Sequence, residues 1–541
     1  MATPFPNQPP PYEGTNLFLA DRVLREALEG AGPVDVEALR NWGSVLGGLY
    51  DHADLANRHP PRLRTHDRVG ERIDAVEFDD AWHALMALAM AQQEHCLPWR
   101  SPAPHAHVQR AALYYLHAQV ENGTQCPLTM TLAANPVLRR HADVADIRAH
   151  WLPAIESDVY DARPLPVVEK DSALIGMGMT ERQGGSDVRA NLTRATRDGD
   201  RWRIRGHKWF FSAPQCDAHL VLAQTETGVG CFFMPRHLDD GTRNAVRINR
   251  LKDKLGNRSN ASAEVELEDA HAWLLGEPDR GIATILEMVQ LTRVDCVIGS
   301  AGIMRAALAW ALHWAQHRFA FGRRLWEQPL MANVLADLAL ETEAALLLAL
   351  DLAGSFDEAA SAHARSLARL VIPASKYWVC KRAPMVVLEA MEVLGGNGYV
   401  DEQPLPRLYR EAPVNSIWEG SGNVICLDVA RAAQRHPDAI EALYAELRHV
   451  HGANAHLDRA AERLTLQLAR VPDAAGGRVL AQAIASTVAA ALLVRHAPTF
   501  VSDAYCASRL APEPYAGAAF GTLTAGCDAA AIVRRSGGVH P

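Results

Sequence analysis

No Cys-x-x-Cys pair occurs anywhere in this chain of 541 residues, and its nine cysteines (Cys96, Cys126, Cys216, Cys231, Cys296, Cys380, Cys426, Cys506 and Cys527) are odd in number and far apart. That pattern argues against a disulfide framework and a structural zinc site, and no metal is expected. It suits a reducing, cytoplasmic compartment. The opening, MATPFPNQPPPYEGTN, has prolines and polar side chains where a secretory signal needs an apolar core. Apolar runs are short: stretches such as Ala344 to Leu350 stop far below the ~20 residues a membrane helix requires. A surplus of positive charge is missing too. The formal net charge of -9 makes the chain a poor generic binder of polyanions, so any nucleic-acid contact has to come from a local patch.

What is present is an ordinary folding composition, 48% apolar and 22% charged, in a chain too long for one hydrophobic core. Residues 1–174 read as a helical region behind an extended, proline-rich arm that packs on another surface or another subunit. Asp79 to Glu94 places Trp82, Leu85, Met86 and Met90 at helical spacing, and Arg110 to Val120 is similar. Over 175–281 the period shifts towards two. Arg201-Trp-Arg-Ile-Arg follows the turn signal Asp198-Gly-Asp200, and His219 to Gln224, Gly230 to Met234, Ala245 to Ile248 and Ser262 to Leu267 are further strands. Long Ala- and Leu-rich helices return over 282–438 (Ala301 to Phe319, Leu330 to Ala353, Ala364 to Leu394), as in a bundle or oligomer core. A helical extension, 439–541, follows. The fold class is mainly α with an inserted antiparallel β domain.

Four segments carry chemistry. Met177-Gly-Met-Thr-Glu-Arg-Gln-Gly-Gly-Ser-Asp187 combines small residues, which admit a planar ligand close to the backbone, with the hydroxyls of Thr180 and Ser186. Gly206-His-Lys-Trp-Phe-Phe-Ser212 is a strand rich in aromatics, which also serve as core filling. Arg318-Phe-Ala-Phe-Gly322 and Met391-Glu-Val-Leu-Gly-Gly-Asn-Gly-Tyr399 supply a cation and a glycine turn suited to phosphate, although Gly395 and Gly396 equally suit a helix C-cap. In Asn415-Ser-Ile-Trp-Glu-Gly-Ser-Gly-Asn423, Glu419 stands among Ile417, Trp418 and Gly420, where an apolar setting raises a carboxyl pKa towards neutrality. Ser421 and Asn423 suit the start of a helix from Val424 to Ala433.

Together these segments resemble the acyl-CoA dehydrogenase superfamily over about residues 75 to 435. That resemblance implies an α domain, a β barrel or sandwich and a four-helix α bundle, with FAD as cofactor. It assigns Met177, Gly178, Met179, Thr180, Gly185 and Ser186 to the flavin loop and Trp209, Phe210, Phe211 and Ser212 to the aromatic strand beside it. Arg318, Phe321, Gly395 and Gly396 would hold the adenine and pyrophosphate portions. Ile417, Trp418, Gly420, Ser421, Gly422 and Asn423 complete the cofactor set, and Thr180, Ser186 and Ser212 border the substrate. Glu419 takes the place of the catalytic base. Where some relatives put that base, directly before an arginine, this chain has Thr292 before Arg293. Glu392 replaces the usual glutamine of the glycine turn, and a carboxylate cannot donate the amide's bond.

The extension beyond residue 438, the N-terminal arm and the runs CPLTMTLA, KLGNRSNAS and PRLYREAPVNSIWEGSGNVICLDV resemble the AidB-type branch of that superfamily. This implies a homotetramer that binds double-stranded DNA and protects it from alkylation, with weak dehydrogenase activity on isovaleryl-CoA-like acyl-CoA. From Glu441 onwards there are nine arginines, no lysine and eight acidic residues, so a DNA patch has to be assembled by folding. Arg431, Arg435, Arg448, Arg459, Arg463 and Arg495 are candidates. Arg431 matches a DNA-contact position of the branch, and Arg509 is placed at a second. Two other readings stay open: a metabolic dehydrogenase of short or branched acyl-CoA without a DNA role, and a non-catalytic flavoprotein that shields DNA.

Overall fold

The structure is a computed structural model and describes residues 7–470, 474–511, 519–524 and 526–537. The chain forms two compact units, one of Met1–Tyr50, Ala103–Val120 and Arg293–Pro541, the other of Asp51–Pro102 and Glu121–Thr292.

In the second unit the alternating pattern becomes a closed ring of strands. Arg194–Asp198 pairs with Arg201–Ser212, which pairs with Ser262–Leu275, then Val229–Pro235, then Ala218–Gln224, all antiparallel. A parallel pairing of Gln224 with Arg194 closes the ring. Ile175–Gly178 runs parallel to Ala218–Gln224, and Val246–Leu251 lies antiparallel on Ser262–Leu275. The β domain is therefore largely antiparallel with two parallel pairings, which single-strand patterns do not encode. Ile204, Phe211, Val221, Phe232, Val265 and Leu267 fill its interior. A hairpin, Arg62–His66 with Arg72–Glu77, was not expected within the helical region; its Arg-Leu-Arg-Thr-His alternation was the available signal.

One buried ion pair ties this unit's two motif segments together. Lys208 Nζ donates to Glu181 Oε1 at 2.9 Å and to the Leu222 carbonyl at 2.8 Å, and both side chains of the pair are 0% exposed. Glu181 also accepts the amides of Leu192 (2.6 Å) and Thr193 (3.2 Å). Burial pushes the Glu181 carboxyl up, but the Lys208 ammonium and these donors outweigh it and hold the group down at about 2.

The first unit is helical. Ala362–Val393 packs against Pro329–Gly354, Gly422–Arg435, Pro437–His449 and Gly477–His496. Helix Gly281–His317 enters the unit at Arg293 and lies so close to Ala106–Ala118 that a Cβ at Gly302 would come within 2.7 Å of the Tyr115 carbonyl. The arm packs on its own chain rather than projecting away: the Tyr12 ring lies 4.9 Å from Trp310, and His313 Nε2 donates to the Pro10 carbonyl at 2.7 Å. Among the described residues two helices, Gly281–His317 and Ala474–His496, are long and apolar enough to span a membrane. The expectation of short runs overlooked them because single polar residues interrupt the apolar ones. Their most apolar windows are 100% and 72% buried, as in core helices.

The C-terminal extension is riveted to the bundle by charge. Arg509, 4% exposed, donates to Asp337 at 2.5 Å and to Glu341 at 3.0 Å, and Arg535 pairs with Glu343 at 2.8 Å. Arg509 therefore corrects the expectation of a DNA contact there: both of its carboxylate partners are buried, and a phosphate could reach it only by breaking them apart.

Lys208→Met leaves Glu181 buried without its cation, and thermal or urea unfolding should show a loss of about 3–5 kcal/mol. The sign with pH follows from the depressed carboxyl. The pair's contribution is complete between the ordinary carboxylate range and about 8, where burial brings the Lys208 ammonium to deprotonation, and it is lost as pH falls through about 2. Without its cation Glu181 favours protonation, so the stability gap between wild type and Lys208→Met should narrow as pH falls.

Candidate active site

In the second unit the loop after Ile175–Gly178 and the strand Arg201–Ser212 are joined by more than the Glu181–Lys208 pair. The Trp209 amide donates to the Thr180 carbonyl at 3.0 Å, and the Arg182 amide donates to His207 Nε2 at 3.1 Å. Met179, Thr180, Ser186, Trp209 and Phe210 consequently share one end of the barrel. Gly185 is required by Thr180, whose hydroxyl oxygen lies 2.4 Å from where a Cβ would stand.

A register break between Lys208 and Phe211 sorts the aromatics, turning Trp209 and Phe210 outward together and returning Phe211 to the interior. Phe210 is 53% exposed, whereas Phe211 is 1% exposed and stacks at 3.9 Å on the His219 ring inside the barrel. Phe211 is thus a core residue, a correction to its placement beside a flavin. Gly178 changes role with it, because a Cβ there would lie 2.6 Å from the Phe211 ring. Met177 is likewise buried, while Ser212 is half-buried. Trp209 carries a cation on its ring: Lys252 Nζ lies 3.6 Å from its centre and 4.6 Å from that of Phe210.

In the first unit the segment 415–423 forms a tight turn before helix Gly422–Arg435. Glu419 has φ +58° and Gly420 φ +103°. A left-handed backbone disfavours a side chain by roughly 1–2 kcal/mol, so surrounding bonds have to impose it. They come from two buried cations. Lys376 Nζ donates to the carbonyls of Trp418 (2.7 Å) and Gly420 (2.6 Å), and Arg293 Nε donates to that of Glu419 (3.1 Å). Arg293 is itself fixed by Asp428 at 2.8 Å. Trp418 Nε1 donates to Asn415, whose amide donates to the Ser300 hydroxyl at 3.1 Å. Ile417 is 64% exposed. At the alternative position, Thr292 is buried and donates its hydroxyl to the Val289 carbonyl at 3.1 Å.

The helix start departs from expectation. Ser421 occupies the N-cap but makes no side-chain cap bond, and Asn423 instead accepts from Arg478 Nε at 2.9 Å. The first amides of a fourteen-residue helix are thereby left without a side-chain cap, an arrangement that suits an anionic ligand. Arg318 donates to the Asn7 carbonyl at 2.6 Å and anchors a two-residue hairpin whose tip, Phe321 (φ +51°) and Gly322 (φ +78°), has the primed-turn geometry. Phe321 is 99% exposed. Gly395, at φ +61°, follows helix Ala362–Val393 as a C-cap glycine, and neither it nor Gly396 has an atom within 4 Å of a Cβ position. Arg431 is 56% exposed and pairs with Asp428 at 2.9 Å.

The residues missed from sequence are Lys376, Glu181, Lys208 and the Asn415–Ser300 pair. Glu181 and Lys208 stood within quoted motifs, yet nothing local marked them as partners, and Lys376 carried no local signal.

Residues 7–162 match the adaptive response protein AidB N-terminal domain, 176–270 the acyl-CoA dehydrogenase middle domain and 279–434 the acyl-CoA dehydrogenase C-terminal domain. The putative acyl-CoA dehydrogenase AidB of Escherichia coli (strain K12) is 48% identical over 92% of this chain and 93% of its own. Acyl-CoA dehydrogenase family member 11 of Caenorhabditis elegans is 30% identical over 78% of this chain and 70% of its own. Among solved structures, Caenorhabditis elegans ACDH-11 in complex with C11-CoA superposes with a TM-score of 0.86 at 25% identity, covering 94% of both chains. Bd2924 in its apo-form gives 0.82 at 29% identity, covering 92% of this chain and 100% of its own. The chain belongs to the acyl-CoA dehydrogenase superfamily, a family of FAD-dependent oxidoreductases acting on CH–CH bonds, in the branch that carries the AidB N-terminal domain.

Proposed function

We propose that this protein is an FAD-dependent dehydrogenase of acyl-CoA thioesters, with Glu419 as its base, and that it works on duplex DNA, which it protects from alkylation. The observation that carries the catalytic part is the strained, doubly clamped backbone of Glu419. Such strain persists only where surrounding structure imposes it, and it clusters at functional sites. Each unit offers features that suit FAD: in the barrel unit the exposed ring of Phe210 suits a planar ring, and in the helical unit the open glycines at 395 and 396 and the uncapped amides of helix Gly422–Arg435 suit a pyrophosphate. Bound FAD supplies a two-electron acceptor for the hydride that leaves the β-carbon. The Glu419 carboxylate takes the α-proton, and the product is the α,β-unsaturated thioester. The C11-CoA complex of the nematode relative supports a CoA thioester as the substrate class.

The DNA role rests on exposed arginines, Arg431, Arg435 and Arg448, in a chain whose overall charge is negative. Arg463 and Arg495 are partly committed, to the Leu510 carbonyl (2.8 Å) and to Glu446 (2.7 Å). The exposed Phe321, Leu330 and Tyr399 support a homotetramer, and nine free cysteines support a reducing cytoplasm. The non-catalytic reading leaves the strain at Glu419 without a use. The purely metabolic reading differs only in lacking DNA affinity.

Anaerobic titration with isovaleryl-CoA should bleach the wild-type flavin, and Glu419→Gln should retain FAD yet bleach at least about a thousandfold more slowly. Retained bleaching in that variant removes Glu419 as the base. Binding to random duplex DNA should weaken with salt, and Arg431→Ala should reduce the slope of log K against log salt by about one. No salt-sensitive binding in the wild type would leave the metabolic reading.

A further inference from the structure

Lysine is scarce in this chain. Of 54 Lys and Arg residues only six are lysine, at 170, 208, 252, 254, 376 and 381. Lys376 lies inside helix Ala362–Val393 and is 1% exposed. A buried ammonium needs compensating partners, and elsewhere in this chain carboxylates provide them: Lys208 bonds Glu181, and Lys170 bonds Asp217 at 2.7 Å. Lys376 instead donates to the backbone carbonyls of Trp418 and Gly420, at 2.7 and 2.6 Å, the two that flank Glu419.

Carbonyls of alternate residues converge on one cation only if the residue between them turns sharply. Glu419 and Gly420, at φ +58° and +103°, make that turn. An ammonium directs its donors tetrahedrally and can meet two carbonyls arriving from different sides, whereas the planar guanidinium fork suits ligands in its own plane. Arg293, which bonds the Glu419 carbonyl at 3.1 Å, has the simpler task. One turn beyond Lys376 on the same helix, Cys380 accepts from Ser300 Oγ at 3.3 Å, and Ser300 accepts from Asn415, which receives the Trp418 indole N–H at 3.0 Å. The same helix and its neighbour therefore fix both the backbone at Glu419 and the ring beside it.

We infer that Lys376 is a positioning residue for Glu419: by holding the carbonyls on either side, it locks the left-handed backbone that sets the direction of the carboxylate. This rests on reading Glu419 as the base. A misplaced base loses rate far more than substrate affinity, because proton transfer tolerates little displacement.

The test uses the FAD-loaded full chain and isovaleryl-CoA. Lys376→Met should keep FAD content and half-saturation within about threefold of wild type while the first-order bleaching rate falls roughly a hundredfold. Lys376→Gln, which retains a donor for one carbonyl, should fold more readily and lose about tenfold in the same rate. Bleaching at the wild-type rate in either variant overturns the inference. So does a fall in rate matched by a loss of FAD content and a rise in half-saturation, or failure of both variants to fold, since each assigns the lysine to stability alone. Glu419→Gln is measured alongside. If it bleaches like wild type the base reading fails; if it does not, while the Lys376 variants do, only the positioning role falls.

Discussion

Two buried cations hold three consecutive peptide carbonyls, and the rest of the site in the helical unit follows from that clamp. Lys376 and Arg293 fix the carbonyls of residues 418 to 420, which forces Glu419 into a backbone region that side chains ordinarily avoid. Burying two cations is costly unless oxygens meet their donors; Asp428 supplies one to Arg293, and the turn being shaped supplies the others. The same bonds that satisfy the charges thus define the conformation. Gly420 belongs to this arrangement as well, since its φ of +103° is open to glycine and to few other residues.

The barrel unit solves its equivalent problem with an internal ion pair. Glu181 and Lys208 lie in two segments that a reader of motifs would assign to the ligand, yet both are 0% exposed and bond to each other. Their work is to bring the loop carrying Thr180 and Ser186 to the strand carrying Trp209 and Phe210. The buried charge acts as a positional device because Glu181 and Lys208 are satisfied only when the loop also brings the amides of Leu192 and Thr193 and the Leu222 carbonyl to them. Gly178 and Gly185 belong to the same logic, since neighbouring side chains occupy the volume their Cβ atoms would need.

Much of this was legible in the sequence where the determinant is local. The long helices, the strands from Arg201 to Leu275 and the turn around Glu419 all announce themselves by period or by glycine. Which of two adjacent aromatics faces the barrel interior is different. Phe211 returns to the interior because the strand is irregular between Lys208 and Phe211, and that irregularity exists only once the strands pair. The closing parallel contact between Arg194 and Gln224 is a tertiary event with no local trace. Lys376 illustrates the same limit: in sequence it is one of several charged residues in its helix, and only the folded turn shows what it holds. Arg509 is the converse case, since an arginine near a surface-directed tail suggests phosphate, and folding gave it Asp337 and Glu341 instead.

The most direct measurement of the central claim is exchange of the substrate α-proton with solvent. Incubated anaerobically with isovaleryl-CoA in D2O, the FAD-loaded protein should introduce deuterium at the α-carbon, read by mass spectrometry, and Glu419→Gln should introduce none above the uncatalysed rate. Undiminished α-exchange in Glu419→Gln would contradict the account, because the proton would then be leaving to a group other than the clamped carboxylate.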